Sequence, residues 1–387
     1  MGSKSKKFST KCVHEGEIKD TMYQGIVSPL FMSTTYPWFG GDDPEKKPYP
    51  RYFNTPNQEF LSKKIASLEN GEKALIFTSG MAAISTSIMA NVKTGDHIVV
   101  QNDIYGGTRN FVLTEFDKFG IEYSFTDGLD PLNFSDQIKD NTVGIYLETP
   151  SNPLLKIVDL KSVSSIAKDN GVWTMIDNTF SSPVNQNPID HGIDIVLHSA
   201  TKYLGGHSDI SAGAVISTES RIEQILNSAK NFGGNLSDYT VWLLERSIKT
   251  LHIRVKEQTN NAKTLAKMLD ENTNISKVYY PGLESHPSHE IAKSQMNDFG
   301  GMMSFDLNNN IDVYDFLKSL NLVKPGMSLA GVESTVNFPM KTSHGLMTQK
   351  ERDIQGIGDK LIRLSVGIES YEDIYEDLDQ AIKSSIK

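Results

Sequence analysis

The sequence predicts an α/β protein in which a large domain with a mostly parallel sheet precedes a smaller C-terminal α+β domain. Short apolar segments alternate with helix-like stretches from Gln58 to about His252, a pattern typical of a mostly parallel sheet. After Arg254 a long helical pattern leads into a second, shorter α+β region. A chain of 387 residues is long enough for about two domains with well-buried cores.

Short apolar segments in the first region are the candidate strands of the large domain. In mostly parallel sheets ligands bind at the loops beyond the carboxyl ends of the strands. The residues that follow each segment are therefore the first candidates for a functional site. The segments are Ala74–Phe77, His97–Val100, Thr142–Leu147, Val172–Ile176 and Ile193–Leu197.

The C-terminal region begins with a helical pattern over Glu257–Leu269 and ends with a predicted helix over Asp373–Ile386. Between them, the apolar segment Val278–Gly282 belongs to the smaller α+β domain.

The start of the chain, from about Phe8 to Thr55, is irregular and rich in proline, glycine and aromatic residues. Such a segment has too little periodic apolar surface to fold alone, so it must lie on the rest of the subunit or on a neighbour. We therefore predict an arm over residues 1–57, a large domain over 58–254 and a C-terminal domain over 255–387.

Composition excludes several classes of partner. The formal net charge of -10 makes nucleic acid and anionic membranes poor partners. The single cysteine, Cys12, forms no intramolecular disulfide and no cysteine-based metal site, which suits a reducing compartment. Met1–Thr10 lacks the apolar core of a signal peptide, and no apolar run reaches membrane-spanning length. The sequence therefore predicts a cytoplasmic protein that binds no membrane, and its histidines have no spacing that predicts a metal site.

Lys202 lies where a candidate strand gives way to a glycine-rich loop, within Asp194–Asp209. A lone lysine is usually a solvated surface charge. Here Ser199 and Thr201 flank it, and two hydroxyls beside a lysine can hold a phosphate while the amine condenses with a carbonyl.

A second candidate, Thr78–Ile84, follows the first strand and opens a helix. Gly80 lets the backbone approach a ligand closely, and the N–H groups at the helix start can cradle a phosphate. An ordinary strand-to-helix turn with a serine cap explains the same residues. The sequence has neither the dinucleotide-binding motif nor the P-loop motif, so it does not favour a dinucleotide-binding or P-loop site here.

Polar residues also follow three other predicted strands. Asp177 can cap a turn, or it can hold a proton on the ring nitrogen of a bound cofactor. Asn152 can hydrogen-bond a cofactor oxygen or a substrate carboxylate, and Tyr105 can stack on a flat ring. Each has an ordinary loop explanation, and their joint placement is the stronger argument.

Arg363 lies among apolar neighbours in the strand-like run Leu361–Gly367. A charge in such a run is costly unless it is paired, and the planar guanidinium matches a carboxylate in two parallel hydrogen bonds. A structural salt bridge is the alternative explanation.

Taken together, the motifs resemble those of the Cys/Met-metabolism enzymes that depend on pyridoxal 5'-phosphate (PLP), from about Thr10 to Ile386. The resemblance implies the PLP-dependent fold of type I, with PLP as cofactor bound by the large domain, and a small amino acid that contains sulfur as substrate. The motifs that carry it are Ser79–Ala83, Tyr105–Thr108, Glu148–Pro153, Asp177–Phe180, Ser199–Asp209 and Arg363–Glu369.

The resemblance implies a role for each matched residue. Lys202 and Tyr105 become the catalytic residues: Lys202 holds PLP as a Schiff base and then carries protons between substrate carbons, while Tyr105 stacks on the ring. Asp177 pairs with the ring nitrogen. The phosphate-binding positions are Gly80, Met81, Ser199 and Thr201, and the positions that receive the substrate's α-carboxylate are Asn152, Ser328 and Arg363.

The arm also matches the family. Tyr49 and Arg51 match a Tyr-x-Arg motif that reaches the phosphate of a neighbouring subunit, which implies an active dimer and usually a tetramer built from two such dimers. The family commonly reads Asn-Pro-Thr shortly after that arginine, whereas this chain has Asn54–Pro56 as Asn-Thr-Pro.

Glu333 indicates the substrate. It follows Ser328 in a stretch where members that act on cystathionine place an acid near the distal part of the substrate, and an acid favours a distal amino group over a methyl thioether. Gly107 stands where methionine lyases of the family carry a cysteine.

The resemblance therefore favours γ-elimination of cystathionine to cysteine, 2-oxobutyrate and ammonia. The alternatives are γ-replacement on an O-acylhomoserine or β-elimination of cystathionine, then γ-elimination of methionine, and last an aminotransferase.

Overall fold

The computed structural model describes residues 6–41, 43, 47–342, 344–345 and 347–387. Residues 1–5, 42 and 44–46 of the predicted arm lie outside this part of the chain. Two separate sheets organise the rest, one of seven strands and one of five.

The larger sheet is built from residues 73–217. Its strands are β1 Lys73–Phe77, β2 His97–Gln101, β3 Glu122–Thr126, β4 Thr142–Glu148, β5 Trp173–Asp177, β6 Ile195–His198 and β7 Gly213–Ser217. Their spatial order is β1-β7-β6-β5-β4-β2-β3. β7 pairs antiparallel with β1 and β6, and every other neighbouring pair is parallel. The prediction of a mostly parallel sheet is confirmed.

This sheet is buried on both faces. In β1, Ala74 and Ile76 belong to one buried hydrophobic cluster, whereas Leu75 and Phe77 belong to another. Successive side chains of a strand point to opposite faces, so the near-continuous apolar runs follow from burial on both sides. Helices from residues 8–248 pack over the sheet: α1 Phe8–His14, α2 Pro56–Leu68, α3 Gly80–Ala90, α4 Gly106–Phe119, α5 Leu132–Ser135, α6 Leu160–Asp169, α7 Ser182–Asn185, α8 Glu219–Phe232 and α9 Asp238–Ile248.

The smaller sheet comes from the C-terminal part of the chain. Its strands are β8 Ile275–Tyr279, β9 Met302–Leu307, β10 Lys324–Pro325, β11 Thr335–Asn337 and β12 Leu361–Ser365, in the order β10-β11-β12-β9-β8. Only the β10–β11 pair among these strands is parallel. The remaining helices are α10 Leu251–Asp270, α11 His289–Gln295, α12 Val313–Ser319, α13 Gln349–Gln355 and α14 Tyr371–Ser384, and three short 3₁₀ helices are Pro50–Tyr52, Pro188–His191 and Pro339–Lys341.

Helix α10 contributes to the cores of both sheets. Leu251 and Val255 near its start pack in a core of the large sheet, whereas Leu265 and Leu269 near its end pack in the core of the small sheet. The helix begins six residues before the predicted start at Glu257, and the predicted boundary between residues 254 and 255 falls inside it. The division into 1–57, 58–254 and 255–387 stays a prediction.

All five predicted strands of the large domain are present, with ends shifted by up to two residues. β3 and β7 were not predicted. β3 is an edge strand whose residues are mostly half-buried, so it lacks a strong apolar run. β7 is a five-residue segment that begins with glycine and follows a glycine-rich loop.

No helix among the described residues is long and apolar enough to cross a membrane.

Candidate active site

A cavity of about 240 Å³ opens where several strands of the large sheet end. Most of the predicted site residues meet there, although they come from loops that are far apart in the sequence. Nine of them line the cavity: Gly80, Met81, Tyr105, Asn152, Asp177, Ser199, Thr201, Lys202 and Arg363. Residues that were not predicted also line it: Ser79, Ile84, Glu148, Thr179, Phe180, Met327 and Leu329.

Gly80 begins helix α3 at the floor of the cavity. The Ser79 hydroxyl caps this helix by accepting a hydrogen bond from the backbone N–H of Ala82 at 3.0 Å. A Cβ atom at Gly80 would lie only 2.8 Å from the Cβ atom of Ser199, so the close approach of these two segments requires glycine. The helix start therefore presents its backbone N–H groups beside two serine residues, a suitable environment for a phosphate group.

Thr201 was predicted to bind the phosphate, but in the structure its hydroxyl bonds to the backbone of Ala212. Its hydroxyl donates to the carbonyl oxygen of Ala212 at 3.1 Å and accepts from the N–H of Ala212 at 3.0 Å. These bonds hold the turn after β6 against the start of β7, so Thr201 also shapes the loop that carries the lysine.

Lys202 lies in the turn that follows β6, and its Nζ atom donates to the Ser328 hydroxyl at 2.8 Å. Burial and the nearby positive charge of Arg363 lower the pKa of Lys202 to about 8, although Asp177 acts in the opposite direction. A lysine with this pKa is half neutral at about pH 8, so a substantial fraction of it can act as a nucleophile or as a base.

The pKa of Lys202 predicts how cofactor capture depends on pH. The rate at which cofactor-free protein binds PLP should rise about tenfold per pH unit below pH 8, because only the neutral amine attacks an aldehyde. Above about pH 8 it should level off, whereas an unperturbed lysine would give a rate that still rises toward pH 10. Stopped-flow measurement of the visible absorbance checks this.

The variant Arg363→Leu provides the control for this pH profile. It removes a positive charge that lowers the pKa of Lys202, so the plateau should move to higher pH. A wild-type rate that keeps rising to pH 10 would contradict the prediction.

Asp177 is the last residue of β5 and is buried beneath the cavity. Its Oδ1 atom accepts a hydrogen bond from the N–H of Thr179 at 3.0 Å, and the Thr179 hydroxyl accepts from the N–H of Ser199 at 2.8 Å. Burial raises the pKa of Asp177, while hydrogen bonds from Thr179 and the charges of His198 and Lys202 lower it. The carboxylate is thus fixed in direction and linked to the lysine-bearing loop.

Arg363 reaches the cavity from the centre of the other sheet, in β12. Its side chain is buried, and its Nη1 atom donates to Oδ1 of Asn152 at 2.9 Å. Nε has no hydrogen-bond partner among the described residues, and burial lowers the pKa of Arg363 to about 10. A buried guanidinium with an unpaired donor is suited to bind an anion such as a carboxylate.

Tyr105 immediately precedes α4 and leaves its side chain 44% exposed at the cavity. Its backbone N–H donates to Oε2 of Glu148 at 2.7 Å. Burial, and then the charge of Asp177, raise the pKa of Glu148 well above its ordinary value. Glu148 belongs to the motif Glu148–Pro153, but no role was predicted for it. Its place as the last residue of β4, equivalent to that of Asp177 in β5, is the signal that could have indicated one.

Four predicted residues do not line the cavity. Ser328 contacts it only through Lys202, and Glu333 is exposed five residues farther along. Tyr49 and Arg51 lie in a separate surface depression, where Arg51 Nη1 donates to the carbonyl oxygen of Lys230 at 2.8 Å.

The site fits PLP on its own chemistry. It combines one amine on Lys202, a helix start that suits a phosphate, a buried carboxylate on Asp177 and an exposed aromatic ring on Tyr105. A phosphorylated aromatic aldehyde with a basic ring nitrogen uses all four groups.

Comparison with known proteins gives matches along nearly the whole chain. The family model described as Cys/Met metabolism PLP-dependent enzyme matches residues 9–383. A cystathionine beta-lyase of Lactococcus lactis subsp. cremoris is 42% identical over 377 residues, covering 97% of this chain and 98% of the relative. A cystathionine gamma-lyase of Bacillus subtilis is 40% identical over 379 residues, covering 98% of this chain and 100% of the relative.

A solved structure agrees with these sequence matches. The crystal structure of cystathionine gamma-lyase from Lactobacillus plantarum complexed with L-serine has a TM-score of 0.94 and 37% sequence identity, and the match covers 98% of this chain and 99% of that chain.

Proposed function

Because this chain belongs to the Cys/Met-metabolism PLP-dependent enzymes and takes PLP as its cofactor, we propose that it cleaves cystathionine at the Cγ–S bond. The reaction consumes water and gives cysteine, 2-oxobutyrate and ammonia. The observation that most directly supports this proposal is that Lys202 and Arg363 face one cavity from two different sheets. Lys202 supplies a base of lowered pKa, and Arg363 supplies a guanidinium group for an α-carboxylate.

Bound PLP supplies an electron-withdrawing ring that stabilises negative charge on the substrate carbons. The residues of the chain provide the rest. Arg363, fixed by Asn152, binds the α-carboxylate, and Asp177 holds the proton at the ring nitrogen. The Tyr105 ring lines the cavity and would stack on bound PLP and limit the access of water.

Lys202 moves the protons. Its Nζ atom is the only amine among the residues that line the cavity in the described part of the chain. Cleavage at Cγ requires removal of protons from both Cα and Cβ, and a lysine on a flexible four-carbon chain can reach neighbouring carbons in turn. The Ser328 hydroxyl, 2.8 Å from Nζ, orients the amine between these transfers.

Glu333 supports cystathionine as the substrate. It is exposed, and a Cβ atom placed on Gly331 would lie 3.0 Å from Oε2 of Glu333 and 2.6 Å from the hydroxyl of Ser208. The carboxylate therefore approaches the loop that carries Lys202, outside the cavity itself. A distal ammonium group at the cavity mouth is the part of cystathionine that this carboxylate attracts.

We expect Glu333→Gln to raise KM for cystathionine by about two- to fivefold with little change in kcat, since an exposed ion pair contributes only about 0.2–1 kcal/mol. Homocysteine has no distal ammonium group and serves as the control substrate, for which KM should stay within about 1.5-fold. Steady-state kinetics on both substrates test this. An equal rise in KM for cystathionine and homocysteine would show that Glu333 does not bind the distal amino group.

Cleavage at the Cβ–S bond is a second candidate, favoured by the 42% identity to the Lactococcus lactis cystathionine beta-lyase. Incubation of the holoenzyme with cystathionine distinguishes the two. Cysteine with 2-oxobutyrate supports cleavage at Cγ, whereas homocysteine with pyruvate supports cleavage at Cβ. An aminotransferase would instead release no thiol and would need a second keto acid.

We further propose that Tyr49 and Arg51 act on a neighbouring copy of this chain. Both are exposed and lie apart from the cavity of their own chain. Large apolar side chains of the same arm are also exposed, among them Met22, Tyr23 and Ile26. Apolar surface of this kind is typical of a subunit interface. A homo-oligomer built on active dimers, its tetrameric state and its cytoplasmic location stay predictions.

A further inference from the structure

Helix α13 lies across the two loops that carry Tyr105 and Asn152, although it belongs to the C-terminal part of the chain. Nε2 of Gln355, the last residue of α13, donates to the carbonyl oxygen of Asn102 at 3.1 Å. Asn102 begins the loop between β2 and Tyr105. Gln355 and Ile357 also lie with Asn152 around a small depression. The helix therefore contacts one edge of the cavity from outside, and its residues do not line the cavity itself.

An ion pair joins this helix to α4. Nη2 of Arg109 lies 3.1 Å from Oε1 of Glu351. Nη1 of the same guanidinium donates to Oδ1 of Asn102 at 2.9 Å, and its Cζ atom lies 4.3 Å from the centre of the Phe125 ring. The Arg109 side chain is only 13% exposed, so contacts on three sides fix its direction. Its backbone N–H donates to the carbonyl oxygen of Tyr105 at 3.0 Å, at the start of α4.

The two carboxylate oxygens of Glu351 have different partners. Oε2 accepts from the backbone N–H and from the hydroxyl of Thr348, both at 2.8 Å, and so closes the capping box at the start of α13. Oε1 faces Arg109. Hydrogen bonds from Thr348, and then the one from Arg109, lower the pKa of Glu351, so the carboxylate is ionised at neutral pH. Since arginine keeps its proton in proteins, both charges of the pair are present.

Helix α13 also leads directly into the strand that carries Arg363. Gly356 ends the helix in the left-handed conformation, and β12 begins at Leu361. Ile357 and Leu361 from this connection pack on Leu154, which belongs to the loop after β4. A contact that holds α13 against α4 therefore also holds the start of β12 against that loop.

We propose that Arg109 and Glu351 form a latch between α4 and α13 that fixes Arg363 at the distance from Lys202 at which one amino acid can bind to both. Arg109 and Glu351 are positioning residues, because neither lines the cavity. The inference rests on the role proposed above for Arg363. Displacement of a group that holds the substrate by about 1 Å can cost about 100-fold in rate, so even a partial release of α13 should be measurable.

The variant Glu351→Gln tests the latch selectively, because glutamine still closes a capping box with Thr348 but has no charge for Arg109. The probes are L-alanine and ethylamine, which differ only in the α-carboxylate. Their dissociation constants are measured on the holoenzyme from the visible absorbance of bound PLP, at a pH above the plateau of Lys202. We expect L-alanine to bind about three- to fivefold more weakly, at the upper end for a partly exposed ion pair.

Ethylamine should bind Glu351→Gln within about 1.5-fold of wild type, because Arg363 binds only a carboxylate. General damage to the fold would weaken both probes. An equal loss for L-alanine and ethylamine, or no loss for L-alanine, would overturn the proposal.

Arg109→Met shows whether the two residues act as a pair. Methionine keeps an unbranched chain over Phe125 but donates no hydrogen bond. L-alanine should bind this variant at least about threefold more weakly than wild type. The addition of Glu351→Gln should then weaken binding by less than about 1.5-fold, because the interaction is already lost. Losses that multiply in the double variant contradict a latch.

Asp298→Asn is the matched control. Oδ2 of Asp298 lies 2.7 Å from Nζ of Lys263, and Oδ1 accepts from the backbone N–H of Phe299 at 2.8 Å. Asparagine therefore also keeps a backbone acceptor and loses an ion pair, and neither Asp298 nor Lys263 lines the cavity. The affinities of this variant for both probes should equal those of wild type. A loss for L-alanine as large as that in Glu351→Gln would mean that the latch has no specific effect.

Arg363→Leu separates the latch from the proposed function. It should weaken the binding of L-alanine more than Glu351→Gln does and leave that of ethylamine unchanged. If the selective loss occurs in Arg363→Leu but not in Glu351→Gln, the latch alone is wrong. If Arg363→Leu weakens both probes equally, or neither, Arg363 does not bind the carboxylate, and the proposed function of Arg363 and the latch are both wrong.

Discussion

Replacing Lys202 with alanine is expected to lower the rate of 2-oxobutyrate release from cystathionine by at least about 1,000-fold. The substitution removes the amine that we propose holds PLP and then moves protons between the substrate carbons, and each function alone is worth about 100-fold or more. The visible absorbance that appears when wild-type protein binds PLP should also be absent. Both readouts come from one preparation, so loss of the cofactor and loss of turnover can be compared directly.

Lys202→Arg and Lys249→Ala are the controls for this result. Arginine keeps a positive charge but does not lose its proton, so Lys202→Arg should be as inactive as the alanine variant. Lys249 forms an ion pair with Glu17 at 2.9 Å and does not line the cavity, so its removal should change the rate less than about threefold. Activity of Lys202→Ala within tenfold of wild type would exclude Lys202 as the base.

Replacing Arg363 with leucine should reduce kcat/KM for cystathionine by about 30-fold or more. Removal of one partner from a buried, hydrogen-bonded charge pair costs about 2–5 kcal/mol. Arg363 is buried, and its Nη1 atom donates to Oδ1 of Asn152. The carboxylate is bound equally before and during the reaction, so most of the loss should appear as a higher KM.

Two comparisons distinguish substrate binding from structural damage in this case. At a pH above the plateau of both proteins, the affinity of Arg363→Leu for PLP should stay within about threefold of wild type, because the guanidinium bonds to Asn152 and not to the start of helix α3. Arg363→Lys, which keeps the charge but not the paired donors, should have an intermediate KM. A PLP affinity that falls as much as KM rises would mean that Arg363 mainly supports the fold.

The large sheet could be predicted because it is buried on both faces. Each of its central strands is a short, nearly continuous apolar run, and such runs are visible without an alignment. β3 lacks that signal because it is an edge strand whose residues are mostly half-buried. β7 is buried, but its apolar run Ala214–Ile216 is only three residues long and follows a glycine-rich loop. Helix α10 was predicted, but its first six residues were not, because tertiary packing, and not periodicity, determines where it begins.

Most of the predicted cavity residues end or follow a strand, whereas Arg363 was predicted as a charge inside the apolar run of β12. Asp177 and Lys202 lie at neighbouring strand ends, and parallel strands bring their carboxyl ends to one edge. Glu69 and His198 are two buried residues whose Oε1 and Nε2 atoms lie 2.5 Å apart, and they carry no comparable signal. They are 129 residues apart in the sequence, and only the fold brings their side chains into contact. Tyr49, Arg51 and Glu333 match family positions, but their places in a single chain lie outside the cavity.

Helix α10 has a consequence for how this chain can be divided. At 1.5 Å per residue its 20 residues span about 30 Å, and its apolar side chains belong to two cores. A cut after Arg254 would leave Leu251 on one fragment and Leu265 on the other. The apolar side chains of α10 on each fragment would then be exposed to water. The two halves should therefore be recovered only when they are co-expressed, and a fusion or permutation of this enzyme should keep α10 intact.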